Sequence, residues 1–311
     1  MKIKLFNAAV GPGLIEAYYR IIGCDAPVPN VLCSYFYADG IITRLLEMKK
    51  KRMIDQLYLD SGAYSFKNGD LIKNYVESEK FLDGFIGYCD LFEDMFDAYF
   101  SLDNSFNDPE HNLNYFLRMK NALVNKRKKP VPVLHARGKD VLEEFKLYVD
   151  LDCPQVAIGS NVRISDSDIW KEFQKIRRKK NIKIHLFGTI HEKKIEHLMM
   201  VKPDSCDSGK IFQVAKYGFL LYLKKNPETK IFSMDRIYLE TKDTAPDRSV
   251  TFSKYIAEND DFKQYLDALK INHGMLLENS TMIHLVNLHQ VCLYEAYLNE
   301  VLLTEKGKAN S

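Results

Sequence analysis

Residues 131–160 have the sequence VPVLHARGKDVLEEFKLYVDLDCPQVAIGS, in which two short apolar runs flank a longer segment of helical period. The apolar runs at 131–134 and 155–158 predict β-strands, and the segment at 141–150 predicts a helix between them. A strand, a helix and a second strand in this order are typical of a unit whose two strands are parallel.

The same alternation extends along the chain on both sides of this unit. The further predicted strands are 31–36, 57–59, 98–102, 183–187, 201–205 and 230–234. The further predicted helices are 40–50, 72–91, 112–124, 166–178, 192–199 and 212–224. Eight short strands separated by helices predict an α/β fold of the (β/α)8 TIM-type barrel class. A doubly wound open sheet is the alternative, but the usual glycine-rich dinucleotide turn follows none of the predicted strands.

The pattern changes near residue 250. The segments at 252–269 and 282–303 are long and helical in period, and they carry no strand signals. We therefore predict a catalytic barrel domain over residues 1–250 and a helical C-terminal appendage over residues 251–311.

Composition and charge exclude several classes of protein. With 44 Lys and Arg against 42 Asp and Glu, the net charge is only +2, which argues against a nucleic-acid binder that works by bulk positive charge but allows local basic surface. No apolar run is long enough for a membrane span, and Gly-Pro-Gly at 11–13 interrupts the early apolar stretch, so we expect neither a membrane segment nor a signal peptide. The six Cys residues form no CxxC pair, which favours reduced thiols in a cytoplasmic protein.

Polar and glycine residues cluster where the predicted strands end. In a barrel, catalytic groups project from these carboxyl ends. The residues concerned are Asp60, Ser61, Gly62, Tyr64, Asp103, His135, Gly159, Ser160, Phe187, Gly188 and Asp207. We therefore expect three carboxylates, small glycine turns and two aromatic rings to converge on one mouth of the barrel.

This set of residue types suits displacement at the anomeric carbon of a nucleoside. One carboxylate attacks C1′ and forms a covalent glycosyl intermediate, while a second moves a proton on or off the leaving group. A third carboxylate can accept hydrogen bonds from the N–H donors of a purine edge. Glycines let a planar base approach the backbone, and aromatic rings stack on its faces.

Each residue also has a purely structural interpretation. Asp60 can bond its own backbone in a tight turn, and Asp103 or Asp207 can cap a turn or the next helix. The remaining large side chains can simply be buried in the core: His135, Tyr64 and Phe187. Their joint placement at successive strand ends favours the functional interpretation, because turn chemistry alone does not require it.

These segments resemble the tRNA-guanine transglycosylase superfamily, and most of all its phage and bacterial relatives that put 7-deazaguanines into DNA. The motifs that carry the resemblance are LDSGAYSF at 59–66, VPVLHARG at 131–138, QVAIGS at 155–160, HLFGT at 185–189, DSCDSG at 204–209 and NLHQVCLYEAYL at 287–298. They follow the order of the family's motifs, and the resemblance spans roughly residues 31–300.

The resemblance implies roles for the three carboxylates. Asp207 matches the family's nucleophile, Asp60 matches its general acid/base, and Asp103 matches the residue that binds the purine edge. Asp204 is a rival nucleophile three residues before Asp207. We prefer Asp207 because it falls beyond the predicted strand.

The resemblance also implies a substrate-binding set around these carboxylates. Tyr64 and Phe187 match the positions where an aromatic residue and a Met sandwich the base, and Gly159 matches the backbone that approaches it. His135 stands where the family usually has a Gln, so the hydrogen bonds at the base edge are expected to differ. The rest of the predicted set is Ser61, Gly62, Ser160 and Gly188.

The resemblance implies an enzyme that exchanges guanine in DNA for a 7-deazaguanine such as 7-cyano-7-deazaguanine, through a covalent Asp–glycosyl intermediate. It would work in the cytoplasm, that of a bacterial host if phage-encoded, as a homodimer or with a partner protein. Alternatives are an enzyme acting on tRNA, a non-catalytic nucleic-acid-binding subunit of the same fold, and an unrelated barrel hydrolase of small glycosides. Top-face phosphate contacts are expected from Lys67, Arg137, Lys139, Arg163 or Lys210.

Zinc is the main departure from the family. Its tRNA enzymes hold zinc with a Cys-x-Cys-x2-Cys cluster and a His; His289 matches that His, but residues 250–275 contain no Cys. A rebuilt site would draw on Cys292, His273 and His284, which do not make four ligands with family spacing. We expect no metal and no other cofactor. The missing cluster, and the missing RNA-binding domain of archaeal relatives, favour DNA over tRNA.

Overall fold

A computed structural model gives the fold for ten stretches of the chain. It describes residues 2–8, 10–37, 40–62, 75–103, 109–135, 140–159, 167–188, 203–225, 232–240 and 249–309. Among the helices in these stretches, none combines the length and the apolar run that crossing a bilayer requires.

Eight short strands form one curled parallel sheet. They are β1 Lys4–Ala8, β2 Asn30–Ser34, β3 Leu57–Asp60, β4 Ala98–Tyr99, β5 Val133–Leu134, β6 Gln155–Ile158, β7 Lys183–Leu186 and β8 Ser205–Ser208. Their order across the sheet is β4-β3-β2-β1-β8-β7-β6-β5. The predicted parallel α/β sheet is confirmed. Among the described strands, consecutive strands of the chain follow one another around the sheet in a single direction. In a doubly wound sheet the strand order would reverse at one point.

The two edges of this sheet, β4 and β5, approach each other. The described residues beside them form a single isolated parallel bridge, between Phe100 and Val131. The backbone N–H of Ser101 donates to the carbonyl of Val131 at 2.9 Å, and the N–H of Val131 donates to the carbonyl of Tyr99 at 2.9 Å. The sheet is therefore curled far enough for its edges to meet at one point, without a continuous ladder between β4 and β5.

Helices follow most of the strands. They are α1 Pro12–Ile21, α2 Ile41–Lys50, α3 Tyr75–Phe92, α4 Pro109–Ala122, α5 Asp140–Asp150, α6 Ser167–Lys180 and α7 Lys210–Lys216, with short 3-10 helices at Tyr35–Tyr37 and Glu93–Met95. The predicted helices at 40–50, 72–91, 112–124, 141–150 and 166–178 are thus confirmed within a few residues. The one predicted at 192–199 lies outside the described residues.

Side chains of the parallel sheet alternate between two apolar environments. Leu57 and Leu59 of β3, for example, pack in a cluster with the helices, whereas Tyr58 points to the other face. There it stacks on Phe6 of β1, with ring centroids 3.9 Å apart, and meets Phe100 edge-on. The face away from the helices is therefore filled by its own aromatic cluster, as a barrel interior is.

Two sequence predictions for this region are wrong. Residues 212–224 were expected to form one helix, but α7 ends at Lys216 and the chain then enters strand β9, Phe219–Lys225. Gly218 explains the change, because its φ of +75° lies in the left-handed region that commonly ends a helix. The predicted eighth barrel strand at 230–234 instead belongs to β10, Phe232–Tyr238, in a separate sheet.

That second sheet has three strands. β10 pairs antiparallel with β9 and parallel with β11, Val250–Thr251. The place that was predicted for residues 230–234 in the parallel sheet is taken by β1, which the apolar pattern did not predict. The polar Asn7 interrupts the apolar run of β1; it is fully buried, and its side-chain amide donates to the carbonyl of Asn30 at 3.2 Å.

The C-terminal segment is helical, as predicted. Its helices are α8 Phe252–Glu258, α9 Asp260–Ala268, α10 His273–Glu278 and α11 Ser280–Ala309. The predicted single helix at 252–269 is broken at Asn259, whose φ of −138° and ψ of 88° are not helical. The domain boundary between residues 250 and 251 stays a prediction.

Helix α11 is bonded to both sheets. Glu295 accepts hydrogen bonds from the backbone N–H of Leu5 at 2.7 Å and from the side-chain amide of Asn30 at 2.6 Å, and it forms an ion pair with Lys4 at 3.2 Å. On the other sheet, the side chain of Asn287 accepts from the N–H of Leu221 at 2.7 Å. One acidic side chain thus holds two central strands, β1 and β2, against the C-terminal helix.

We expect Glu295→Ala to lower the free energy of unfolding by about 2–4 kcal/mol, because it removes the carboxylate to which the Leu5 N–H and the Asn30 amide donate, while Lys4 keeps its ion pair with Asp55. The matched control is Glu16→Ala, which breaks a pair with Arg44 in which both side chains are 54% exposed and therefore matters little. Urea unfolding at neutral pH measures both variants. Equal losses in the two variants would contradict the role given to Glu295.

Candidate functional site

The predicted site residues that the structure describes lie at the carboxyl ends of β3 to β8. Asp60 is the last residue of β3, and Ser61 and Gly62 follow it. The next four strands are each followed by predicted site residues: Asp103 after β4, His135 after β5, Gly159 after β6, and Phe187 and Gly188 after β7. Asp207 lies within β8. Tyr64 and Ser160 lie outside the described residues.

Asp60 is held in a tight turn. The backbone N–H of Gly62 donates to its Oδ2 at 3.0 Å, so the structural interpretation of this motif is realised. Gly62 has φ +88°, and a Cβ there would lie 2.5 Å from both Phe36 Cβ and Ser34 Oγ, so a side chain does not fit. The turn orients the Asp60 carboxyl group at the end of β3.

Asp103 is paired with His135. His135 Nε2 lies 2.6 Å from Asp103 Oδ2, and Ser61 Oγ lies 3.5 Å from Asp103 Oδ1. The backbone N–H of His135 donates to Glu144 of α5 at 3.0 Å, a contact that the sequence did not indicate. The described part of the next helix, α4, starts at Pro109, so the capping interpretation of Asp103 lies outside the described residues. Asp103 and His135 together present one polar surface that can both accept and donate hydrogen bonds.

Asp207 is a buried residue inside a strand. It is 5% exposed and lies in β8, so the expectation that it falls beyond the strand is wrong; β8 runs over Ser205–Ser208 rather than 201–205. Its Oδ1 accepts a hydrogen bond from the N–H of Gly188 at 2.9 Å, at a turn where Gly188 has φ +63°. The alternation of β8 directs Asp207 to the face opposite Cys206, which packs toward the helices.

The rival residue Asp204 has a different position and different partners. It precedes β8, at the opposite end of the strand from the candidate site. Its carboxylate accepts from the guanidinium of the buried Arg177 at 2.5 Å and from the backbone N–H of Ile184 at 2.7 Å. These contacts make Asp204 a structural link between α6, β7 and β8.

The carboxyl groups perturb one another. The pKa of Asp60 is raised to about 8, first by burial and then by the negative charges of Asp103 and Asp207, against the lowering effect of the Gly62 hydrogen bond. Burial also raises the pKa of Asp103, although the bond to His135 opposes this. Asp60 is therefore close enough to both other carboxylates for their charges to raise its pKa, and a pKa of about 8 favours its protonated form at neutral pH.

A cavity of about 290 Å³ opens beside Asp60. Its walls come from the ends of β1 and β2 and from α2, with Leu32, Cys33 and Ile42 among the apolar lining residues. The hydroxyl of Ser34 also lines it and has no hydrogen-bond partner within the described stretches of the chain. The cavity gives the protonated Asp60 a sheltered, mostly apolar space in which a bound group could meet it.

Gly159 and Phe187 continue the ladder of the sheet. The N–H of Gly159 donates to the carbonyl of Leu134 at 3.0 Å, and the N–H of Phe187 donates to that of Ile158 at 3.0 Å. The half-buried ring of Phe187 meets the rings of Phe100 and His185 edge-on, each at 4.7 Å. Phe187 thus covers the interior aromatic cluster on the side where the candidate site lies.

The sequence interpretation missed His185. It is fully buried, its Nδ1 lies 2.8 Å from Ser205 Oγ, and its Nε2 lies 3.5 Å from Asp207 Oδ1. A signal was present, since His185 stands two residues before Phe187 in a strand and therefore shares its face. Sequence position alone does not show that His185 meets Asp207, because the contact joins two different strands.

The residues near His289 do not fit a zinc site. His289 Nδ1 lies 2.9 Å from the hydroxyl of Tyr265, and burial raises the pKa of Cys292 to about 12, which disfavours the thiolate that zinc needs. His273 Nε2 faces the carbonyl of Leu239 at 3.3 Å, and His284 Nδ1 faces the carbonyl of Ser280 at 2.7 Å. Within the described part of the chain, no three such side chains converge as a metal site would require.

No protein-family model matches the chain, and no curated protein matches it either. The functional interpretation therefore depends on the geometry above. Its central element is a group of three carboxyl groups, one of them protonated at neutral pH, at one end of a parallel sheet.

The raised pKa of Asp60 makes stability depend on pH in a defined direction. The proton bound to Asp60 stabilises the folded state fully below its ordinary pKa of 3.8, and this contribution is lost as the pH rises through about 8. The free energy of unfolding should therefore fall across this window, by at most about 1.4 kcal/mol per pH unit from this one group.

Asp60→Asn removes that contribution, so its stability relative to the wild type should increase from pH 4 to pH 8. Urea unfolding at several pH values within this window measures the difference. Asp60→Glu is the control, because it keeps a carboxyl group and should keep the pH dependence. Parallel curves for the wild type and Asp60→Asn would show that Asp60 is ionised throughout.

Proposed function

We propose that this protein is a transglycosylase that exchanges guanine in DNA for a 7-deazaguanine base. The observation that carries the proposal is the convergence of Asp60, Asp103 and Asp207, in which burial and then the charges of the other two carboxylates raise the pKa of Asp60 to about 8. Double displacement at C1′ needs this division of labour between an ionised nucleophile and a protonated acid.

In the first half-reaction, Asp207 is the nucleophile. Its carboxylate attacks C1′ of the target nucleotide, which has left its stack. The bond from C1′ to N9 breaks, its electron pair leaves with guanine, and Asp60 donates its proton to the departing base. The result is an ester bond between Asp207 and C1′, with the Gly188 N–H hydrogen bond orienting the attacking carboxylate.

In the second half-reaction, a 7-deazaguanine occupies the place of guanine. Asp60, now ionised, takes the proton of N9 while N9 attacks C1′, and the ester bond breaks to restore the Asp207 carboxylate. Two inversions at C1′ keep the configuration of the nucleoside. The pKa of Asp60 near neutrality suits a group that must give and take a proton in one cycle.

Recognition of the base is assigned to Asp103, His135 and Phe187. The Asp103–His135 pair supplies an acceptor and a donor for the polar edge of a purine. His135 is buried and fixed through its backbone by Glu144, so the pair is preorganised. The half-buried ring of Phe187 supplies one apolar surface for the face of the base, opposite the predicted position of Tyr64.

We also propose that the curled sheet closes fully into a (β/α)8 barrel. The bridge between Phe100 and Val131 supports closure, since it joins the two edges of the sheet. DNA is proposed as the polymer, rather than tRNA, because the residues around His289 do not fit the zinc site that the resemblance associates with tRNA enzymes. A cytoplasmic location and a partner protein or homodimer stay predictions.

A base-exchange assay tests the proposal. The purified full chain is incubated with labelled guanine and either duplex DNA or tRNA, and incorporation into the polymer is measured. We expect label in DNA, its displacement by an added 7-deazaguanine, and a covalent protein–DNA adduct mapped to Asp207 after denaturation. Label in tRNA alone would replace DNA by tRNA as the substrate.

Asp207→Asn should lower exchange at least about a thousandfold and abolish the adduct, because an amide is a poor nucleophile. The matched control is Asp168→Asn, since Asp168 is an exposed residue of α6 that pairs with Lys171. This variant should keep full activity. Full exchange by Asp207→Asn would eliminate the mechanism.

Other outcomes of the same assay identify the alternatives. Exchange that appears only when a second protein is added would indicate a non-catalytic subunit. Turnover of a free nucleoside without any polymer would indicate a hydrolase of small glycosides.

A further inference from the structure

A fully buried imidazole lies directly beside the candidate nucleophile. His185 of β7 has no exposed surface and is surrounded by aromatic rings. The ring centroids of its neighbours lie 4.7 to 6.0 Å away and belong to Phe187, Phe100, Tyr58 and Phe6. A histidine in such surroundings needs a partner for each ring nitrogen, because burying an unpaired polar atom is costly.

The two ring nitrogens have different neighbours. Nδ1 lies 2.8 Å from the hydroxyl oxygen of Ser205, which is itself buried. Among the described residues Nε2 has no hydrogen-bond partner, and it lies 3.5 Å from Asp207 Oδ1. The same carboxylate oxygen accepts the backbone N–H of Gly188. Nε2 is therefore a buried polar atom that faces the carboxylate assigned to attack.

The neighbouring hydroxyl groups determine which nitrogen carries the proton. If Nδ1 carried it, the lone pair of Nε2 would face the anionic Oδ1 of Asp207, which is repulsive. If Nε2 carries it, Nδ1 accepts from the Ser205 hydroxyl and the Nε2–H is directed at Asp207. The second arrangement gives both ring nitrogens a favourable neighbour.

We propose that His185 is a positioning residue for the nucleophile, held by Ser205 as the Nε2–H tautomer so that its N–H points at Asp207 Oδ1. With the Gly188 N–H, it gives Oδ1 two donors and leaves Oδ2 free to attack C1′. The role assigned to Asp207 rests on the proposed function, but the tautomer and its contact do not. At 3.5 Å the contact between His185 Nε2 and Asp207 Oδ1 is electrostatic. We expect this distance to shorten when the ester bond breaks and negative charge returns to the Asp207 carboxylate.

The tautomer is tested without any activity measurement. In protein labelled with ¹⁵N-histidine, the His185 signals are identified by their loss in His185→Phe. We expect a pyrrole-like shift for Nε2 and a pyridine-like shift for Nδ1, and a partial change toward the other tautomer in Ser205→Ala. A pyridine-like Nε2, or two protonated nitrogens, would overturn the assignment.

Kinetics test whether the contact acts on the nucleophile. We expect His185→Phe to lower kcat for exchange about tenfold with KM nearly unchanged, since the lost interaction acts in the chemical step. His185→Gln places an amide donor close to the position of Nε2 and should recover most of that loss. Phe6→Leu is the matched control: it disturbs the same aromatic cluster without removing a polar atom, so it should lower stability and leave kcat unchanged.

The results separate this inference from the proposed function. An inactive wild-type protein with the Nε2–H tautomer would refute the transglycosylase and keep the contact between His185 and Asp207. An active wild type in which His185→Phe, His185→Gln and Phe6→Leu lose kcat equally would refute the positioning role and keep the transglycosylase.

Discussion

Side chains on neighbouring positions of a strand point to opposite faces, and this constraint decides what reaches the end of the parallel sheet. Leu57 and Leu59 pack against the helices, which leaves Tyr58 and Asp60 on the other face. The same alternation puts Asp207 of β8 there and Cys206 among the helices. A shift of one residue in either strand would exchange a core side chain for a carboxylate, so apolar burial fixes where the acidic groups lie.

Keeping several carboxyl groups in one buried hollow has an electrostatic cost, and the structure offsets it in three ways. A proton neutralises Asp60, the imidazole of His135 partners Asp103, and the backbone N–H of Gly188 partners Asp207. In the proposed function, the three devices correspond to acid/base transfer, base recognition and nucleophilic attack. The contacts that let the fold tolerate these charges also give each carboxyl group a different environment.

Strand alternation and motif position were enough to predict the parallel sheet and to put Asp60, Asp103 and His135 at strand ends, although Asp207 lies inside β8 rather than beyond it. The errors have physical causes. Residues 212–224 have a helical period, and only the left-handed backbone of Gly218 separates α7 from β9. Strand β1 was missed because Asn7 is polar yet buried, bonded to a neighbouring strand. His185 and Glu144 were missed because their importance arises from contacts between elements, which neither composition nor periodicity encodes.

Strand β1 lies at the centre of the parallel sheet, between β2 and β8. Just before β1, the backbone of Ile3 bonds to helix α11: the N–H of Ile3 donates to the side chain of Asn299 at 2.7 Å, and the carbonyl of Ile3 accepts from that side chain at 2.9 Å. Almost three hundred residues separate the partners of this contact. A ribosome therefore releases β1 and its neighbour β2 long before β8 and the covering helix exist. One edge of β1 lacks its partner strand until late in synthesis, so this topology has contacts of large sequence separation and exposes an unpaired strand edge in the nascent chain.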